Sequence, residues 1–185
     1  MYKDIKTLDK KIYFSNCENC TACCDGTRFS LAPLILDDFE LVYQYFPILF
    51  GYIDGNLKAL IVMQDNQKCK YLENGKCSIY DSRPPACQMY PFSPLYEDIF
   101  IDDSCKAINE ECCSTITQNG FFSSEFYHKR VDNFVHKLER TADFLDKISD
   151  NLIYHQTVSG IELYKINDTK TDDRFIKYHY NSLIK

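Results

Sequence analysis

The stretch Cys17-Glu18-Asn19-Cys20-Thr21-Ala22-Cys23-Cys24 places four thiols within eight residues. Asn16, Asn19, Asp25 and Gly26 around it are turn formers, so residues 15–26 read as a loop. Thiolates spaced Cys-x-x-Cys can close on one metal through a tight turn, and Cys17, Cys20 and Cys23 repeat that step. The same linear run is one that wraps an iron–sulfur cube. Cys24 stands apart. Adjacent cysteines point in different directions, so Cys24 is expected either to serve a second centre or to pack as a small apolar thiol.

Outward from this stretch, a second group follows at Cys69, Cys77 and Cys87, and a third at Cys105, Cys112 and Cys113. The first group is expected to fold back onto the later ones around one or more metal centres. Residues 68–80 read as a hairpin turning at Asn74-Gly75, which would set Cys69 and Cys77 near each other, as in zinc ribbons. Four prolines in residues 81–94 forbid a long element. They leave room for one helical turn starting at Pro84, capped by Asp81 or Ser82 and carrying Cys87. Arg83 beside it either neutralises thiolate charge, bonds a carboxylate, or is simply solvated.

The 185 residues suit one domain with a core of its own, and 14 Tyr and 13 Phe can supply that core. A formal net charge of -6 argues against a general nucleic-acid binder. The charged start, Met1 to Lys6, holds no apolar signal region, and no apolar run approaches the roughly 20 residues of a membrane span. A cytoplasmic location is therefore expected, with no membrane partner. Ten cysteines in that reducing compartment read as metal ligands rather than as five disulfides.

The remaining chain suggests ordinary elements. Residues 1–14 read as a surface arm. Residues 27–36 suggest a short strand, followed by a helix from Asp37 or Asp38 to about Phe46, with Phe39, Val42, Tyr43 and Phe46 on its apolar face and Pro47 ending it. Strands are expected at 57–63, 95–101, 161–166 and 174–180, and a short helix at 106–117. Residues 123–149 carry the clearest amphipathic pattern, with Tyr127, Val131, Phe134, Val135, Leu138, Ala142, Leu145 and Ile148 at helical steps. His128, His136, His155 and His179 sit beside no cysteine group and read as surface or partly packed. A thioredoxin-like dithiol would need a βαβ pattern that the sequence lacks. A redox switch through Cys112 and Cys113 would need a strained disulfide between neighbours.

These residues resemble the YkgJ-type cysteine-cluster family, described as zinc- or iron-chelating. The matching pieces are Cys17-x2-Cys20-x2-Cys23-Cys24, then Cys69 with Gly75-Lys76-Cys77-Ser78-Ile79-Tyr80, then Arg83-Pro84-x2-Cys87-x2-Tyr90-Pro91-Phe92, and Cys105. The likeness covers roughly residues 15–106. It departs at Cys105-Lys106-Ala107, where members often have Cys-Pro-Gly. The resemblance implies metal ligation by Cys17, Cys20, Cys23, Cys24, Cys69, Cys77, Cys87 and Cys105. It also implies an alternative, because a similar domain occurs in flagellin lysine N-methyltransferases that use S-adenosylmethionine.

The expected molecule is a small α+β single domain over residues 1–185, with an irregular cysteine-rich core at 15–106 and a helical and mixed extension at 107–185. It has a short β-hairpin and a long amphipathic helix. Eight cysteines suffice for two four-thiolate sites, or for one cluster with thiols to spare. The linear run leans towards a 4Fe-4S cluster and the hairpin towards zinc. Calcium and magnesium prefer oxygen ligands. A protein partner is the remaining expectation.

Overall fold

The computed structural model describes residues 2–4, 12–13, 21, 23–25, 30–63, 68–95, 98–102, 105, 115–118, 121–122, 129–167 and 172–184. In chain order the strands begin β1 (Tyr2–Asp4), β2 (Ile12–Tyr13), β3 (Leu31–Pro33), β4 (Ile48–Ile53), β5 (Asn56–Val62), β6 (Leu72–Glu73) and β7 (Lys76–Cys77). They continue β8 (Phe92–Leu95), β9 (Asp98–Asp102), β10 (Thr115–Gln118), β11 (Phe121–Phe122), β12 (Leu152–Val158) and β13 (Ile161–Ile166). The helices are α1 (Phe39–Val42), α2 (Pro85–Met89), α3 (Lys129–Ile148) and α4 (Arg174–Leu183). The class is mixed α+β. Among the described residues no helix is long and apolar enough to cross a membrane.

The centre is a five-stranded antiparallel sheet in the order β12-β13-β4-β5-β3. Side chains alternate across it, as the two-residue period of a strand requires. Ile48, Phe50, Ala59 and Ile61 join Phe39, Val42, Phe46, Phe144, Leu145 and Ile148 in one buried cluster, which unites the sheet with α1 and α3. Leu49, Leu60 and Val62 meet Val158 and Leu163 on the opposite face. Phe39 is fully buried, with its ring edge-on to Phe144 and Phe175 at 6.1 Å each. Two further sheets, β1-β9-β8 and β11-β10-β2, complete the strands together with the β6-β7 hairpin.

Helix α4 is tied to the sheet through polar groups as well as apolar ones. Asp173 caps it, accepting from the amides of Phe175 (2.8 Å) and Ile176 (3.4 Å). His179 is fully buried between β4 and β13. Its Nδ1 donates to the Ile48 carbonyl at 2.7 Å, and its Nε2 accepts from the Ile166 amide at 3.2 Å. The register of the two strands, Leu163 opposite Gly51 and Tyr164 opposite Phe50, carries Ile166 to a place opposite Ile48. The imidazole thus stands where a direct backbone rung would be and relays it. Ser182 and Tyr180 act similarly. The Ile48 amide donates to Ser182 Oγ at 2.9 Å, and Tyr180 Oη donates to the Ile166 carbonyl at 2.6 Å.

Several expectations are corrected here. Residues 174–180 form the start of α4, not a strand: the Asp173 cap and the burial of His179 and Ser182 at helical spacing outweigh the β preference of Phe175, Ile176 and Tyr178. The run 95–101 is divided between β8 and β9, which pair antiparallel. Within 106–117, residues 115–117 are strand, and residues 106–114 lie outside those described. Within the lead-in, Tyr2–Asp4 and Ile12–Tyr13 are strands, β1 pairing with β9 and β2 with β10, and the rest of 1–14 lies outside the described residues. Helix α1 stops at Val42, although turns continue to Phe46 and bury the expected Phe39, Val42 and Phe46. In α3 the buried face over the described side chains is Thr141, Phe144, Leu145 and Ile148, whereas Ala142 is exposed. His179 is a core residue, not a surface one.

Candidate metal centre

Strand pairing brings the first two cysteine groups together. β3 and β5 run antiparallel with Leu31 opposite Val62. Pairing persists beyond the strand ends, where the Met63 amide donates to the Ser30 carbonyl at 2.9 Å. Farther out in the same register, the Cys69 amide donates to the Cys24 carbonyl at 2.7 Å. The segment holding Cys23 and Cys24 is therefore clasped along the segment that opens the hairpin.

The hairpin then supplies Cys77. Leu72 lies opposite Cys77 and Glu73 opposite Lys76. Asn74 and Gly75 close it with φ of 49° and 75°. That left-handed pair matches strand twist and explains why Asn-Gly marks the position in sequence. Tyr71 anchors the hairpin to the core, donating from its hydroxyl to the Tyr45 carbonyl at 3.0 Å and packing edge-on against Phe46. Past a short helical turn at Tyr80–Ser82, Pro84 caps α2 with Pro85 in its first turn, and α2 carries Cys87.

Cys23, Cys24, Cys69, Cys77 and Cys87 all border one cavity of about 510 Å³, together with Arg83. Tyr71, Tyr80 and Tyr90 also line it; Tyr80 and Tyr90 stand in the motif pieces quoted above, whereas Tyr71 had no signal beyond its place in the hairpin. Among the described residues no carboxylate and no imidazole faces this cavity. Cys24 does not diverge from its neighbour as the sequence reading expected, since its Sγ lies 3.7 Å from Cys23 Sγ. It also packs against the main core, as do Cys69 and Cys87.

Cys105 is buried, with its amide bonded to the Asp102 carbonyl at 3.0 Å, but it does not line the cavity. It is linked to the wall indirectly: Tyr90 Oη donates to Asp102 Oδ2 at 2.8 Å. Cys17, Cys20, Cys112, Cys113 and His128 lie outside the described residues.

The electrostatics are those of thiols crowded away from water. The Cys24 thiol donates to Cys23 and draws its pKa down to about 7, with Arg83 adding to the effect. That hydrogen bond and burial push Cys24 up. Burial raises Cys69 and takes Cys87 to about 12, and charge on Cys23, Cys69 and Cys77 would add to the shift at Cys87 while Arg83 opposes it. Each thiolate formed makes the next harder to form, unless a cation joins them. Among the described residues no three His, Cys, Asp or Glu side chains already converge as a finished ligand cluster. The donor chemistry nonetheless fits a soft ion: free thiols from three chain segments, with no carboxylate to compete among the described residues.

The family model CxxCxxCC, described as "Putative zinc- or iron-chelating domain", matches residues 16–115. No curated protein and no solved structure matches the chain. The matched segment includes every cysteine, whereas β12, β13 and α4 of the central sheet region lie beyond it.

Proposed function

The chain belongs to the CxxCxxCC family, and from that premise we propose that it is a metal-binding protein whose clustered cysteines hold an iron–sulfur cluster. The observation that carries this reading is the single cavity bordered by Cys23, Cys24, Cys69, Cys77 and Cys87. The ligands would be drawn from these five with Cys17 and Cys20, and Cys105 is the more remote candidate. When bound, the group supplies a cross-link between separated chain segments and, if it is a cluster, one-electron chemistry. The protein's part is to present thiols in a pocket where burial disfavours isolated thiolates, so that a cation is needed to ionise them together. A reducing compartment, the cytoplasm, is the setting that keeps these thiols available.

Zinc is the second reading, and one distance favours it. Two sulfurs bound to one tetrahedral zinc at about 2.3 Å stand roughly 3.8 Å apart, close to the 3.7 Å between Cys23 and Cys24. The roomier cavity and the linear Cys17, Cys20, Cys23 run favour the cluster. Elemental analysis of protein purified without oxygen decides between them, with a visible spectrum and an acid-labile sulfide assay on the same sample. Iron with matching sulfide supports the cluster. Zinc without sulfide in a colourless sample replaces it with the second reading, and neither metal overturns both.

A further inference from the structure

We propose that Arg83 is the charge-compensating residue of the thiolate cavity, a positioning residue whose guanidinium offsets the surplus negative charge of the metal-loaded site. The inference rests on the metal-binding reading above. A divalent ion held by four thiolates carries two surplus negative charges, and burying that surplus without a counter-charge is strongly unfavourable.

Arg83 is built to remain at that place. Its guanidinium carbon lies 3.6 Å from the centre of the Tyr80 ring, and its Nε donates to the Tyr80 carbonyl at 2.9 Å. Its own carbonyl accepts from Gln88 Nε2 at 2.6 Å, one residue beyond Cys87. The guanidinium is thus held by Tyr80, and the Arg83 backbone by Gln88, on the segment joining Cys77 to Cys87. Among the described residues no carboxylate pairs with it. It borders the same cavity as Cys23, Cys77 and Cys87. An arginine bonded to a carboxylate would have spent its charge there; this one faces a cavity whose only acidic groups, among the described residues, are cysteines and tyrosines.

The test compares wild-type, Arg83→Gln and Arg83→Lys full-length proteins by competition with a chromophoric chelator. Zinc ion alone and iron(II) ion alone serve as probes. Arg83→Gln is expected to weaken affinity about 10-fold to 100-fold, the range seen for residues outside the ligand shell, and Arg83→Lys to recover most of that loss. Thermal unfolding of each metal-free variant separates loss of charge from loss of packing. Wild-type affinity in Arg83→Gln overturns the proposal, as does a lysine variant as weak as the glutamine one. Should Arg83→Gln fail to fold, Arg83→Lys decides alone: affinity near wild type supports the charge role, and a large loss overturns it. Failure of the wild-type protein both to take up either ion and to assemble a cluster from iron(II) with sulfide instead overturns the metal reading, and this inference with it.

Discussion

The central sheet and the cysteine cavity share a border but are stabilised by opposite means. In the sheet and the helix packed on it, Phe39, Ile48, Phe50 and Ile61 are all but fully buried, and the backbone of Ile48 is bonded even where the ladder lapses, through His179 and Ser182. Apolar burial and satisfied hydrogen bonds need no ligand. In the cavity, five thiols line an opening in a region of two-residue strands and single helical turns, and their burial raises the energy of every extra charge. The difference teaches that the fold's stability and the site's readiness for metal are separable properties.

The largest test of that separation removes a ligand. Cys77→Ser is expected to lower metal affinity by more than about 100-fold, above what outer residues account for, while the amides of Phe50 and Ile61 keep their hydrogen-exchange protection. If sheet protection vanishes with the metal, the two regions are one cooperative unit and the contrast fails.

The converse change strikes the sheet. Phe39→Ala should destabilise the protein by about 3–5 kcal/mol, read from urea unfolding. The folded fraction should retain metal stoichiometry. A loss of metal from protein that is still folded would show the core to be shaping the cavity.

His179 sharpens the contrast through pH. Burial holds its pKa down at about 4, against an ordinary value of 6.5. Between those values the unfolded chain takes up a proton that the native imidazole refuses. The neutral ring's contribution is therefore complete above the unfolded value and is lost as pH falls through the window towards 4. The loss should reach about 3 kcal/mol. Urea midpoints from pH 7.5 down to 4.5 should fall in the wild type and fall less in His179→Ala. A parallel pH dependence in both would remove the relay from the account.

The smallest effect belongs to the surface. Asp37 pairs with Lys137 at 2.9 Å and Arg140 at 2.9 Å, both partners largely exposed. Asp37→Asn should cost less than about 1 kcal/mol, seen as a small shift of the thermal midpoint. A larger shift would mean that the seating of α3 depends on this pair.

The parts of the molecule legible in sequence are those specified by neighbours. Asn74-Gly75 declares its turn because few other pairs accept two left-handed residues, and Pro84-Pro85 declares a helical start because an imino nitrogen has no amide to leave unbonded. The order of the cysteines was equally legible. That the first group meets the second was expected too, but the pairing that brings them together was not, because it depends on the register of β3 against β5, and neither strand announces its partner. The same reason hid His179: a lone histidine among tyrosines gives no sign that a broken backbone rung awaits it. Cys105 was read from the family spacing, with its Lys106-Ala107 departure, and it does not line the cavity.

The clasp between Cys24 and Cys69 has a kinetic consequence. Because β3 and β5 already align these residues, the entropy of closing the intervening loop is met by sheet formation rather than by the arriving ion. On the metal-binding reading proposed above, the thiols would act as one multidentate chelator with a high effective concentration, and after the first bond forms each later capture would be intramolecular. Exchange of the bound metal should then be gated, its rate following the fraying of β3 from β5 more closely than the lifetime of any single metal–sulfur bond.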